Sequence, residues 1–138
     1  CENLLRLHQL TLDQDYLTQA EDILKAAQKY IDNYPPGYCY HLMNLMRYYN
    51  THMFTAVIAL NSKEQFQKEI SQLFCHAYFL HKSIIWRHVD DEKLFMRIPF
   101  IKNQIPIDQK TTLYICRQGV CQKPVYELSE MIETVHKL

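Results

Sequence analysis

The sequence predicts an α/β protein in which N-terminal helices pack on a small three- to four-stranded mixed sheet with flanking helices. Three observations carry that expectation. Apolar residues first recur at steps of three and four, then give way to short continuous β-branched runs, so the period changes from helix to strand near residue 53. Two such runs, TAVIAL and KSIIWRH, flank a stretch long enough for one helix, the signature of a strand–helix–strand unit. Near the C-terminus, TTLYICRQGVCQKPVY reads as strand, tight turn and strand. The expected organisation is a helical segment over 1–52 and a small α/β domain over 53–138.

Residues 2–11 carry Leu4, Leu5, Leu7 and Leu10 at helical spacing. Asp13 or Asp15 is placed to cap a second helix running to Tyr30 or Ile31. Tyr16, Leu17, Ala20, Ile23, Leu24, Ala27 and Ile31 form its inner stripe, with Gln19, Glu21, Lys25 and Lys29 in solvent. NYPPGY, residues 33–38, ends that helix because proline lacks a donor and restricts the residue before it. A third helix is expected from Tyr38 to Asn50, with Leu42, Leu45, Met46 and Tyr49 inward.

The strand Thr55–Leu60 follows, then a helix from Lys63 to Leu80 capped by Asn61 or Ser62. Its inner face is Phe66, Ile70, Leu73, Phe74, Ala77 and Leu80. Lys82–His88 is the second strand, parallel to the first across a right-handed crossover. Asp90–Arg97 reads as a short helix, and Ile98–Ile107, with its two prolines, as an extended connection. Thr111–Cys116 is the third strand, and Gln122–Tyr126 its antiparallel continuation with Pro124 at an edge. Glu127–His136 closes the chain as a helix with Leu128, Met131, Ile132 and Val135 inward.

Composition narrows the function classes. The chain has 138 residues and 48% apolar content, enough for a compact core without a metal or disulfide staple. Its 15 basic and 15 acidic residues balance, and no basic run occurs, which argues against nucleic acid and against an anionic membrane. No apolar run reaches the roughly 18 residues of a membrane span. The two glycines, Gly37 and Gly119, are too few for a phosphate-cradling loop. Five scattered cysteines do not make a secreted disulfide framework, so a reducing cytoplasm is the expected location. The chain begins at Cys1 in a helix-like stretch with no leader pattern, which predicts a piece of a longer protein.

The block IPFIKNQIPIDQKTTLYICRQGVCQKPV, residues 98–125, resembles the C-terminal end of the thioredoxin-domain-containing proteins, a family that includes YyaL-like bacterial proteins and a spermatogenesis-associated animal protein. The matching residues are Tyr114, Cys116, Cys121 and Pro124, preceded by Pro106, Asp108 and Lys110. Upstream, NLLRLHQLT and DYLTQAEDIL resemble the final helices of that family's α/α barrel. The chain departs from the pattern at Asn103 and Gln104, where the family often has Gly-Lys, and at Gln109, where it has Gly. The resemblance implies a parent with a thioredoxin-like domain, an (α/α)6 barrel similar to sugar-processing barrels, and a small C-terminal α/β domain. The implied partners are the parent's other domains, with a homodimer through the cut barrel surface as a further expectation. No cofactor is implied.

Cys116 and Cys121 are five apart and face each other in a hairpin with a four-residue loop, Gly119 taking a positive φ. They read as a redox pair, as half of a metal site, or as two reduced cysteines that pack the hairpin; Arg117 stands beside them as a group that lowers a thiol pKa. No third and fourth ligand accompanies them, so no metal is assigned. His88, Asp90 and Asp91 follow the second strand, where α/β sheets place ligands, but acidic residues opening a helix explain them equally well. Cys75, His76 and His81 diverge around one helix, with Cys75 half-buried. Tyr34, Tyr38, Tyr40, Tyr48 and Tyr49 either line the mouth of the parent's barrel or pack between subdomains. No nucleophile–base spacing is recognisable. The expected function is that of a non-catalytic C-terminal domain with a redox role, the alternatives being a wall of a barrel enzyme acting on a carbohydrate-like substrate or a docking module for the thioredoxin-like domain.

Overall fold

A computed structural model describes residues 1–50, 53–61, 67–76 and 82–138. The chain divides into two compact units, Cys1–Met53 and Phe54–Leu138.

The first unit is helical. Helix α1 spans Glu2–Thr11, α2 Gln14–Asn33 and α3 Cys39–Tyr49, with a 3-10 turn at Pro35–Tyr38. Leu12 ends α1 in the left-handed conformation at φ 62°, its N–H bonding to His8 O. Asp13 then caps α2 by accepting from Asp15 N–H at 3.0 Å. Leu5, Ala20, Leu24 and Ile31 form the buried stripe. Three positions expected to face inward do not: Ile23 is 38%, Met46 62% and Tyr49 72% exposed. On α3 the buried places go instead to Asn44 and Arg47. Polar side chains tie this helix to the other two. Arg47 donates to Gln9 Oε1 at 2.8 Å, Tyr48 to Glu21 Oε1 at 2.7 Å, and Tyr40 to Glu2. An apolar stripe therefore misplaces the inner face of a helix that is held by hydrogen bonds.

Those bonds act on the carboxylates. The Tyr40 hydroxyl holds Glu2 below its ordinary pKa, and the Tyr48 hydroxyl, then Lys25, does the same for Glu21. Both folded values lie below the unfolded ones. The contribution is complete above the ordinary carboxylate range and is lost as pH falls through the lowered values. A Tyr40→Phe, Tyr48→Phe double variant should melt below the parent at neutral pH, and the gap should narrow from about pH 6 towards about pH 3. Thermal melts followed by circular dichroism across that range check this.

The second unit is a mixed sheet with helices. Strand β1 is Thr55–Ala59, β2 Ser83–Arg87, β3 Thr112–Arg117 and β4 Val120–Cys121. The spatial order is β2-β1-β3-β4, with β1 parallel to β2 and antiparallel to β3, and β4 antiparallel to β3. All five β1 positions are buried, as a central strand covered on both faces requires. Leu60 N–H still reaches Arg87 O at 2.9 Å, so pairing extends through the expected TAVIAL run.

On one face, Ala56, Ile58, Leu113 and Ile115 pack with Ile70 and Phe74 of α4 (Gln67–His76) and with Met131 and Val135 of α6 (Leu128–His136). Ile132 turns outward at 38% exposure, against expectation, because α6 buries only the stripe of Met131 and Val135. The expected bounds of α4, and its positions Phe66, Ala77 and Leu80, lie outside the described residues, as does the Ser62 cap. Asn61 is described; its amide donates to Gln109 O.

The other face carries Val57, Ile85, Arg87, Thr112, Tyr114 and Cys116, and the chain from α5 (Glu92–Arg97) to Lys110 covers it. Ile98–Ile107 is not an extended connection throughout. Pro99 opens a 3-10 helix, Pro99–Asn103, since its fixed φ suits a first helical position. Ile107 and Lys110 then bridge across Asp108 (φ 50°) and Gln109 (φ 58°), a turn with two left-handed residues and no glycine.

The returning strand also differs from expectation. It pairs at Val120–Cys121, and Gln122 N–H meets Ile115 O at 2.9 Å, but Leu113 exchanges bonds with Val125 at 2.8 and 3.0 Å. Two steps on β3 thus match three on the return, leaving Lys123 and Pro124 as a bulge opposite Tyr114. Pro124 lacks the donor a regular ladder needs there.

Arg87 fastens this layer. It is 4% exposed, donates from Nε to Ile101 O at 3.1 Å and from Nη2 to Lys102 O at 3.2 Å, and lies 4.7 Å from the Phe95 ring centroid. Arg87→Ala should cost about 3 kcal/mol, since two carbonyls lose a charged donor and a cavity opens. Urea unfolding of parent and variant checks it.

Candidate functional site

The site forms where β3 and β4 meet. Arg117 pairs with Val120, so the turn between the strands has two residues, Gln118 at φ 49° and Gly119 at φ 79°. The expected four-residue loop is therefore a two-residue primed turn closed by one further pair, because a two-residue turn matches the twist of the strands it joins. In such a hairpin the pair next to the turn is hydrogen-bonded and the following pair is not. Cys116 and Cys121 are that following pair, the kind in which side chains approach most closely.

The two cysteines are bonded, with an S–S distance of 2.01 Å and Cα atoms 3.8 Å apart. The structure thus holds the pair in its oxidised form. The two sulfurs differ in surroundings. Cys116 is 2% exposed, in the middle of the sheet between Thr55 of β1 and Cys121 of β4. Cys121 is half-buried on the edge strand.

Strand alternation sends Cys116 to the face of Tyr114 and sends Arg117 to the opposite face. Arg117 is thus not beside the sulfurs, contrary to expectation; its Nε is buried without a hydrogen-bond partner. The neighbour is Gln104, which the sequence marked only as a departure from the family pattern. The chain past the Pro99–Asn103 helix brings its amide to 3.3 Å from Cys121 Sγ. Turned about, the same amide donates to Ile101 O at 3.1 Å and to Phe100 O, leaving its oxygen towards the sulfur. Close by, Tyr114 donates to Ile105 O at 2.6 Å and its pKa is raised by burial.

The other candidates do not assemble. Asp91 caps α5 by accepting from Leu94 N–H at 3.1 Å, while His88 and Asp90 are exposed. Among the described residues no group of three or more His, Cys, Asp or Glu side chains could hold a metal ion. Cys75 is exposed rather than half-buried, because α4 turns Ile70 and Phe74 to the core instead. His76 lines a groove of about 520 Å3 with Leu73, Ile132 and His136, and His81 lies outside the described residues. In the helical unit, Tyr48 and Tyr49 meet edge to face at 4.9 Å beside a groove of about 260 Å3 lined also by Glu21, Leu24 and Asp32. Tyr34 and Tyr40 are exposed, and Tyr38 stacks on Tyr30 at 6.3 Å.

Comparison with protein-family models, with curated proteins and with solved structures returns no match. No helix among the described residues is long and apolar enough to cross a membrane.

The turn sets the register that brings the cysteines together, so it is the place to perturb the site. Gly119→Ala places a Cβ at φ 79° and should destabilise the reduced protein by about 1–2 kcal/mol. Chemical denaturation of the parent and variant, both reduced, measures the difference.

Proposed function

We propose that Phe54–Leu138 is a non-catalytic C-terminal module of a thioredoxin-domain-containing protein, and that Cys116 and Cys121 give it a redox role. The observation that carries the reading is the bonded pair itself, with one sulfur buried and its mate at the sheet edge. A bridge closing so short a loop constrains the unfolded chain by only about 2 kcal/mol, and a core packed on both sheet faces does not depend on it. Chemistry is then a better reason for the pair than stability. In a cytoplasmic setting the pair would cycle between dithiol and disulfide, in step with the thioredoxin-like domain that the residue pattern implies. The resemblance at Tyr114, Cys116, Cys121 and Pro124 supports the family assignment.

A second reading has its own support. The α2–α3 groove sets Tyr48 and Tyr49 beside Glu21 and Asp32, aromatic faces and carboxylates of the kind that hold sugars. That favours a wall of a barrel enzyme acting on a carbohydrate-like substrate.

The test is equilibration of the protein in glutathione buffers of graded potential, with Cys1, Cys39 and Cys75 replaced by serine and Cys116 and Cys121 mapped by mass spectrometry. The redox reading expects interconversion within the cytosolic range. A bond that persists below about −300 mV overturns it and makes the bridge structural.

A further inference from the structure

We infer that thiol–disulfide exchange enters at Cys121, and that the attacking thiol is carried by a dithiol protein whose extended segment adds alongside β4. The inference rests on the redox reading above and names the point of attack and the class of partner.

Exchange needs the incoming thiolate in line with the bond it breaks. The bridge runs across the strands from β3 to β4, and β4 is the last strand of the sheet. Extended beyond Cys121, the S–S line leads out over the sheet edge. Extended beyond Cys116, it leads over Thr55 of buried β1. Burial agrees with this geometry, since Cys116 is 2% exposed and Cys121 half-buried. Cys116 is therefore the leaving sulfur.

The backbone adds the second half. Cys121 belongs to a non-hydrogen-bonded pair with Cys116, so its own N–H and C=O point away from β3, towards the open edge. Beside it Val120 is 76% exposed, and among the described residues no further strand pairs with β4. A segment adding there would bond to both Cys121 backbone groups and set one residue directly opposite, its side chain on the sulfur's face. A cysteine at that place meets Cys121 Sγ once the Gln104 amide moves aside. Lys123, exposed two residues beyond Cys121, adds a positive charge that favours a thiolate.

The step balances. The partner's thiolate forms a bond to Cys121 Sγ, and the S–S electron pair leaves on Cys116, which takes up a proton. The partner's second thiol, losing its proton, attacks the partner sulfur of the mixed disulfide and expels Cys121, which is protonated in turn. The protein disulfide and a partner dithiol become a protein dithiol and a partner disulfide.

The experiment uses the full chain with serine at 1, 39 and 75. Glutathione is added, the reaction is acid-quenched, and the adduct is mapped. A synthetic extended peptide with a central cysteine is compared with the same peptide N-methylated at that cysteine. The expected result is glutathione on Cys121, faster adduct formation in Gln104→Ala, and about tenfold slower reaction of the methylated peptide, the equivalent of one or two lost hydrogen bonds. Adduct on Cys116, or equal rates for the two peptides, overturns the inference and leaves the redox reading standing. A bridge that no thiol opens in the native protein sinks both.

Discussion

Strand β1 is hydrogen-bonded on both sides and buried on both faces, and the α/β unit is arranged to satisfy it. A parallel neighbour cannot be reached by a tight turn, so the chain must cross over before β2. On its other side β1 takes β3 antiparallel, with Thr55 opposite Cys116 and Ala59 opposite Thr112. Neither face of β1 can be left to solvent. Helices α4 and α6 cover one, and the run from α5 to Lys110 covers the other, where Arg87 and Tyr114 bond to its carbonyls. Buried carbonyls in a segment without a ladder need such donors.

That second layer gives the disulfide its surroundings. Arg87 fixes Ile101 and Lys102, the 3-10 helix carries the chain on, and Gln104 comes to rest against Cys121. Thr112 holds the following turn, accepting from Ile107 N–H at 2.9 Å and donating to Lys110 O at 3.0 Å. The environment of one sulfur is thus set by a strand arginine on the far side of β1.

What could be read from the chain followed from periodicity and burial. TAVIAL and KSIIWRH became neighbouring parallel strands because continuous β-branched runs have no solvent face to offer. The cysteine hairpin was visible because Gly119 marks a turn and odd and even positions of a strand separate to opposite faces. What escaped was polar. Asn44 and Arg47 took the inside of α3, Arg47 because Gln9 of α1 accepts its hydrogen bond, which no hydropathy pattern records. Arg87 looked like the end of a strand, yet its donors matched carbonyls fourteen and fifteen residues away. Gln104 stood out only as a departure from the family pattern and carried no signal of contact with a sulfur, since its place depends on the 3-10 helix before it. The left-handed pair Asp108 and Gln109 was hidden because neither is the glycine such a turn usually announces.

The bulge at Lys123 and Pro124 has a bearing on self-association. An exposed edge strand is a template on which further chains can pair without limit. Here the free edge runs through Val120 and Cys121 and is then thrown out of register, with a proline that has no N–H to offer. A visiting strand can find footing for a few residues at Cys121 and no farther. The same interruption that shortens β4 keeps an open edge from becoming the seed of a fibril.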